Sequence, residues 1–214
     1  MELQLAIDLL NKEDAAELAN KVKDYVDIVE IGTPIIYNEG LPAVKHMADN
    51  ISNVKVLADM KIMDAADYEV SQAIKFGADV ITILGVAEDA SIKAAIEEAI
   101  EEAHKNNKQL LVDMIAVQDL EKRAKELDEM GADYIAVHTG YDLQAEGQSP
   151  LESLRTVKSV IKNSKVAVAG GIKPDTIKEI VAENPDLVIV GGGIANADDP
   201  VEAAKQCRAA IEGK

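Results

Sequence analysis

The sequence predicts an α/β chain that folds over residues 1–214 as a single-domain (β/α)₈ TIM barrel. Eight short apolar runs carry that prediction, at residues 3–8, 28–32, 54–59, 80–85, 110–114, 134–138, 166–170 and 187–191. Their ends fall 21 to 32 residues apart, the period of a strand followed by a helix. The segments between them alternate polar and apolar residues over helical lengths, and no linker or charge block divides the chain. Eight parallel strands with short connections close into a barrel. An open doubly wound sheet is the weaker alternative, because no GxGxxG follows the first strand.

Most helices show a start or a stop. Asn11 is placed to cap a helix over 12–24, and Asp89 one over 90–105. Leu120, Ala124, Leu127 and Met130 form a helical stripe within 117–130. Ser149-Pro150-Leu151-Glu152 offers a cap, Pro at N1 and Glu at N3, and Asp199-Pro200-Val201-Glu202 repeats the device with an acid. Lys173-Pro174 is expected to open the seventh helix in the same way. Gly77 and Gly131 fit the position just past a helix end, each inside a Gly-Ala-Asp turn, the nearest thing to an internal repeat.

Composition narrows the function. With 48% hydrophobic, 3% aromatic and no Trp residues, the core must be aliphatic. A formal net charge of -17 argues against nucleic acid or an anionic membrane as partner, since both reward Lys and Arg. It leaves room for a small phosphorylated ligand held by a few local donors. The single cysteine, Cys207, rules out an internal disulfide. The N-terminus lacks the basic and apolar regions of a signal peptide, and no apolar run is long enough to cross a bilayer. A cytoplasmic location is expected.

In a barrel of this kind the active site forms at the C-terminal ends of the strands. There the sequence places Asp8, Glu30, Asp59-x-Lys61-x-x-Asp64, Asp113 and His138, then Gly170-Gly171 and Gly191-Gly192-Gly193. Charged groups collect on one side and glycines on the other. Glycine loops after strands 7 and 8 expose backbone N–H groups and suit a phosphate, although tight turns alone could also require them. Glu30 and Asp59, on adjacent strands near the same level, suit a hard divalent cation such as Mg²⁺, for which Mn²⁺ can substitute. No His or Cys pair has zinc spacing. A simple ion pair of Glu30 with Lys61 is the structural alternative. His138 is the one histidine at a strand end and is placed for proton transfer, or for packing against a neighbour; His46 and His104 fall on helices, where solvated surfaces are expected. A phosphate cradle, a cation site, a lysine and a proton carrier together suit chemistry next to the carbonyl of a sugar phosphate.

These residues carry a resemblance. The phrases 29–34, 57–65, 137–145, 169–172 and 190–194 are similar to those of the orotidine-monophosphate-decarboxylase superfamily, and within it to the 3-hexulose-6-phosphate synthase family. The resemblance covers essentially the whole chain. It implies a lyase (aldolase) of the ribulose monophosphate pathway, fixing formaldehyde by Mg²⁺-dependent condensation with D-ribulose 5-phosphate to D-arabino-3-hexulose 6-phosphate. Glu30 and Asp59 would then hold the metal. Lys61 would stabilise a 1,2-enediolate within an Asp8/Asp59/Lys61/Asp64 charge network, and His138 would move the C1 proton. Gly170, Gly171, Gly191, Gly192 and Gly193 would bind phosphate, with Asp113 contacting a substrate hydroxyl. The resemblance further implies a homodimer in which Asp64 reaches the partner's site. The nearest competing activity is 3-keto-L-gulonate-6-phosphate decarboxylase, whose family usually carries arginines after its strand-6 histidine and after strand 8; here those places read Thr139-Gly140-Tyr141 and Gly192. A non-catalytic sugar-phosphate-binding barrel is the remote alternative.

Overall fold

The described residues of the computed structural model are 1–106 and 108–213, with the backbone alone at 100–106. All eight expected strands form: β1 (Glu2–Ile7), β2 (Ile28–Ile31), β3 (Lys55–Ile62), β4 (Val80–Leu84), β5 (Gln109–Asp113), β6 (Tyr134–His138), β7 (Lys165–Ala169) and β8 (Leu187–Val190). They pair in sequence order, every pair parallel, and β8 closes on β1. Around them run α1 (Lys12–Val22), α2 (Thr33–Glu39), α3 (Leu41–Asn50), α4 (Ala66–Lys75), α5 (Asp89–Asn106), α6 (Leu120–Met130), α7 (Tyr141–Ala145), α8 (Leu151–Val160), α9 (Ile177–Ala182), α10 (Gly192–Ala195) and α11 (Pro200–Ile211).

The caps at Asn11 and Asp199 form as expected, accepting from the N–H groups of Asp14 and of Val201 and Glu202. Four starts shift. Asp89 is the first residue of α5, and its carboxylate is taken by Arg123 at 2.6 Å instead of capping. Helix α6 begins at Leu120, because Asp119 captures the N–H of Lys122. Pro150 occupies the cap position of α8 instead of N1, and Lys173-Pro174 opens only a turn before α9 begins at Ile177. His46 is half-buried on α3, and the side chain of His104 lies outside the described residues.

Apolar side chains of helices and outer strand faces make one large aliphatic layer, and a second cluster fills the barrel. Register orders the interior. Gln4 pairs with Ile28, Ile28 with Lys55, Leu57 with Val80 and Val80 with Gln109, so the pairing climbs two residues every second strand. Inward side chains therefore stack in layers of four from alternate strands. The lowest layer holds Glu2, Lys55, Gln109 and Lys165, closed by Tyr134, whose hydroxyl donates to Glu2 at 2.6 Å. Higher up come Glu30, Thr82, Ala136 and Ile189, then Ala6, Asp59, Asp113 and Ala169. Gly32 and His138 follow at the mouth.

One device repeats four times. Asp27, Asp79, Asp133 and Asp186 each precede an even-numbered strand and accept, at 2.8 to 3.0 Å, the N–H of a residue in the strand before. The Gly-Ala-Asp phrase is the sequence form of this clamp. It holds the register that stacks the layers. Among the described residues, no helix is long and apolar enough to cross a membrane.

Candidate active site

Strand β3 runs three residues further than its apolar run, carrying Asp59 and Lys61 to the mouth inside the strand. There it is irregular. Ala58 is level with Ile81 and Ile62 with Ile83, so residues 59–61 stand opposite one residue of β4, Thr82. Lys61 has φ +48°, a left-handed conformation that costs a non-glycine residue on the order of 1 kcal/mol. Its Nζ meets Asp59 Oδ2 at 2.5 Å and stands 3.6 Å from Asp113 Oδ2.

Asp59 is buried, and both of its carboxylate oxygens are hydrogen-bonded. Thr33 Oγ1 lies 2.6 Å from Oδ2, which Lys61 also approaches, while Thr82 Oγ1 donates to Oδ1 at 2.9 Å. Burial would raise its carboxyl, but the Lys61 charge and these hydrogen bonds outweigh it and hold the group below its ordinary value. Lys61 responds in kind. Burial favours the neutral amine, yet Asp59 and Asp113 hold the ammonium above the usual lysine range.

Glu30 lies in the layer below Asp59, not at the same level, with Gln4 Nε2 donating to its Oε2 at 2.6 Å. Burial, then the charge of Asp59, push its carboxyl well above the ordinary range, only partly opposed by Lys61. No direct pair with Lys61 forms, so the simple ion-pair alternative fails. Among the described residues Gln4 Oε1 is buried without a partner. Asp8 is the solvent-open acid of the mouth; partial burial and Asp59 raise it. Its Oδ1 lies 2.1 Å from where a Cβ on Gly32 would stand, so only glycine leaves room for it.

Asp113 accepts from His138 Nδ1 at 2.9 Å and from the N–H of Ile115 at 2.9 Å. It is thus a partner of His138 and Lys61. With Nδ1 engaged, Nε2 is the histidine's free nitrogen. Asp64 is exposed beyond β3; within this chain Lys61 pairs with Asp59 and Asp113, not with Asp64.

The glycine loops stand on the other side of the mouth. Gly170 and Gly171 have φ +115° and +68°, and a Cβ on Gly170 would sit 2.5 Å from Thr139 O. On Gly193 it would sit 2.5 Å from Ile172 O. Gly192 and Gly193 begin the short α10, whose first N–H groups have no partner inside the helix. A cleft of about 460 Å³, lined in part by Lys173, Gly192, Gly193 and Asp199, flanks this side. Among the described residues no three acid, His or Cys groups form a ready metal cage.

The sequence reading missed Gln4, Thr33 and Thr82. A signal existed for two of them: Gln4 and Thr82 are polar residues in the inward register of apolar strands.

Comparison with known proteins agrees with this fold. The model of the orotidine 5'-phosphate decarboxylase / HUMPS family matches residues 1–207. A 3-hexulose-6-phosphate synthase of Staphylococcus aureus (strain MSSA476) is 98% identical over 214 residues, covering 100% of both chains. The crystal structure of 3-hexulose-6-phosphate synthase from Salmonella typhimurium superposes with TM-score 0.95 at 42% identity, over 100% of this chain and 99% of that one. A 3-keto-L-gulonate-6-phosphate decarboxylase from Vibrio cholerae gives 0.84 at 26% identity, over 99% and 97%. The chain belongs to the orotidine 5'-phosphate decarboxylase / HUMPS family, within its 3-hexulose-6-phosphate synthase group.

Proposed function

We propose that the chain condenses D-ribulose 5-phosphate with formaldehyde to D-arabino-3-hexulose 6-phosphate through a 1,2-enediolate. Its 98% identical relative bears the name of that synthase. The observation that carries the mechanism is Asp113, held between His138 at 2.9 Å and Lys61 at 3.6 Å. A proton carrier and a fixed cation share one carboxylate. Deprotonation beside a carbonyl needs both groups together.

His138 Nε2 takes a proton from C1, and Asp113 at Nδ1 stabilises the imidazolium. The electron pair left at C1 forms the C1=C2 bond, and negative charge grows on the C2 oxygen near Lys61. C1 then attacks formaldehyde, the C2 carbonyl re-forms, and the new alkoxide takes its proton from the His138 imidazolium, which restores the base. The phosphate is held by backbone N–H groups at Gly170, Gly171, Gly191, Gly192 and Gly193. Asp113 serves here as the partner of His138, a role beside the hydroxyl contact expected from resemblance.

The acids fit a divalent cation. Oδ2 of Asp59 is filled by Lys61 and Thr33, whereas among the described residues Oδ1 accepts only from Thr82 and keeps one acceptor site. Among the described residues Glu30 has Gln4 as its one hydrogen-bond partner, and burial, then the charge of Asp59, raise its carboxyl. Two carboxylates with room for water and substrate oxygens suit Mg²⁺, or Mn²⁺ in its place. Bound there, the ion supplies Lewis-acid polarisation of the substrate carbonyl.

A homodimer completes the reading. Leu9, Tyr37, Met63 and Tyr68, on the segments after β1, β2 and β3, expose between 51% and 86% of their surface, and Asp64 follows Met63 in the chain. Apolar side chains exposed on these segments suit a second copy of this chain, and Asp64 would enter the partner's site. Exchange of the C1 proton into D₂O without formaldehyde tests the first step. Exchange that stops in His138→Gln supports it, and exchange unchanged in that variant contradicts it.

A further inference from the structure

The bulge in β3 sets two groups of the site in place, and one hydroxyl outside the reacting set touches both. Residues 59–61 face only Thr82 across the β3–β4 ladder, and Lys61 within them has φ +48°. The N–H of Lys61 donates to Thr82 Oγ1 at 2.9 Å. A hydroxyl has a single proton. With the lone pair facing Lys61 occupied, that proton is left for Asp59 Oδ1, also at 2.9 Å. Thr82 is 3% exposed, so water does not compete for either bond. Packing does not ask for the hydroxyl. Thr82 alternates with Ile81 and Ile83 in an apolar strand, where Val would fill nearly the same space and favours β structure as well.

We propose that Thr82 is the positioning residue of this site, its one buried hydroxyl fixing the Lys61 backbone and the Asp59 carboxylate in a common geometry. The proposal rests on the reading of Lys61 and Asp59 as working groups. Thr82 lies a layer below Asp59 and acts through it and through Lys61. Lost contact would let the bulge relax and Asp59 turn, leaving the phosphate loops across the barrel untouched. Turnover should suffer and substrate capture should not.

The test compares wild type with Thr82→Val, which removes the hydroxyl, and Thr82→Ser, which keeps it. Two quantities are read: kcat against KM for ribulose 5-phosphate, and hydrogen exchange of the Lys61 amide by NMR. In Thr82→Val, kcat should fall about 10- to 100-fold, the usual effect of removing an outer-shell partner. KM should stay within about threefold, because the phosphate contacts are unchanged. The Lys61 amide should exchange at least ~10-fold faster as its local protection is lost. Thr82→Ser should match wild type in all three. Thr82→Val with wild-type kcat and amide protection overturns the proposal, as does Thr82→Ser impaired like Thr82→Val. Should Thr82→Val fail to fold, Thr82→Ser decides: wild-type kcat and amide protection support the hydroxyl role, and loss of either overturns it. A wild type without condensation activity sinks the catalytic reading instead, and amide exchange then decides on Thr82 alone.

Discussion

Lys61 reaches Asp59 by leaving the strand conformation: its Nζ stands 2.5 Å from Asp59 Oδ2 on a backbone with φ +48°. Left-handed backbone under a long side chain persists only where its surroundings over-determine it. Here they do, since Asp59, Asp113 and the Thr82 hydroxyl each hold part of Lys61. Removing the amine leaves two buried carboxylates facing each other. Lys61→Ala should abolish turnover and destabilise the fold by about 3 kcal/mol at neutral pH. The sign with pH follows from the shifts. Asp59 is held below 3.8, so its support is lost as pH falls through that lowered value; Lys61 is held above 10.5, so its support is lost as pH rises through the raised one. Thermal melts of both proteins should therefore differ most between those limits and converge outside them.

His138 and Asp113 should act as one unit. Asp113→Asn keeps the shape but removes the charge that stabilises the imidazolium and fixes Nδ1–H, so C1 exchange should fall by about 10²- to 10⁴-fold. The double variant with His138→Gln should be little worse than either single one. Full additivity in measured exchange rates would separate the two roles.

The phosphate loops answer to a different readout. A methyl on Gly193 would collide with Ile172 O, and one on Gly170 with Thr139 O. Gly193→Ala should raise KM for ribulose 5-phosphate by about tenfold or more while lowering kcat less, since binding shared by ground and transition states is lost. Steady-state kinetics over a wide substrate range checks this.

The shared site is open to complementation. Lys61→Ala and Asp64→Ala are each expected to be inactive alone. In a symmetric dimer with Asp64 crossing over, subunit exchange between them rebuilds one intact site in each heterodimer. Mixing equal amounts should then restore about a quarter of wild-type activity. No recovery after demonstrated subunit exchange would keep Asp64 out of the partner's site.

At the far end of the barrel, Glu2 accepts from Tyr134 and pairs with Lys55 and Lys165. Burial would raise its carboxyl, but Tyr134 and the two lysines outweigh it and hold the group below 4.5. Glu2→Gln should cost about 2 kcal/mol near pH 7, the worth of charged hydrogen bonds. Because the folded value is the lower one, that difference should shrink as pH falls through it. Activity should be untouched, which separates this layer from the site.

Much of this was legible in the sequence, for a physical reason. Strand period and glycine stops are local, and they placed every strand within three residues of its observed end. Asp113, His138 and the glycines also stand at strand ends, as read, whereas Glu30, Asp59 and Lys61 lie within their strands. Three things were not local. The bulge opposite Thr82 lengthens β3 and depends on two strands together, so Asp59 and Lys61 could not be set in register from one of them. The climb of the pairing around the barrel puts Glu30 and Asp59 in successive layers, although their strands are neighbours. The role of Asp113 as partner of His138 needs contact across β5 and β6, which a single strand end cannot show.

The most direct test is formaldehyde fixation by the purified protein with ribulose 5-phosphate, run with Mg²⁺, with excess chelator, and with Asp59→Ala. Keto-gulonate phosphate serves as comparison substrate. Hexulose phosphate should form with Mg²⁺ alone among these conditions, and keto-gulonate phosphate should turn over far more slowly. Condensation that survives both the chelator and Asp59→Ala would contradict this mechanism.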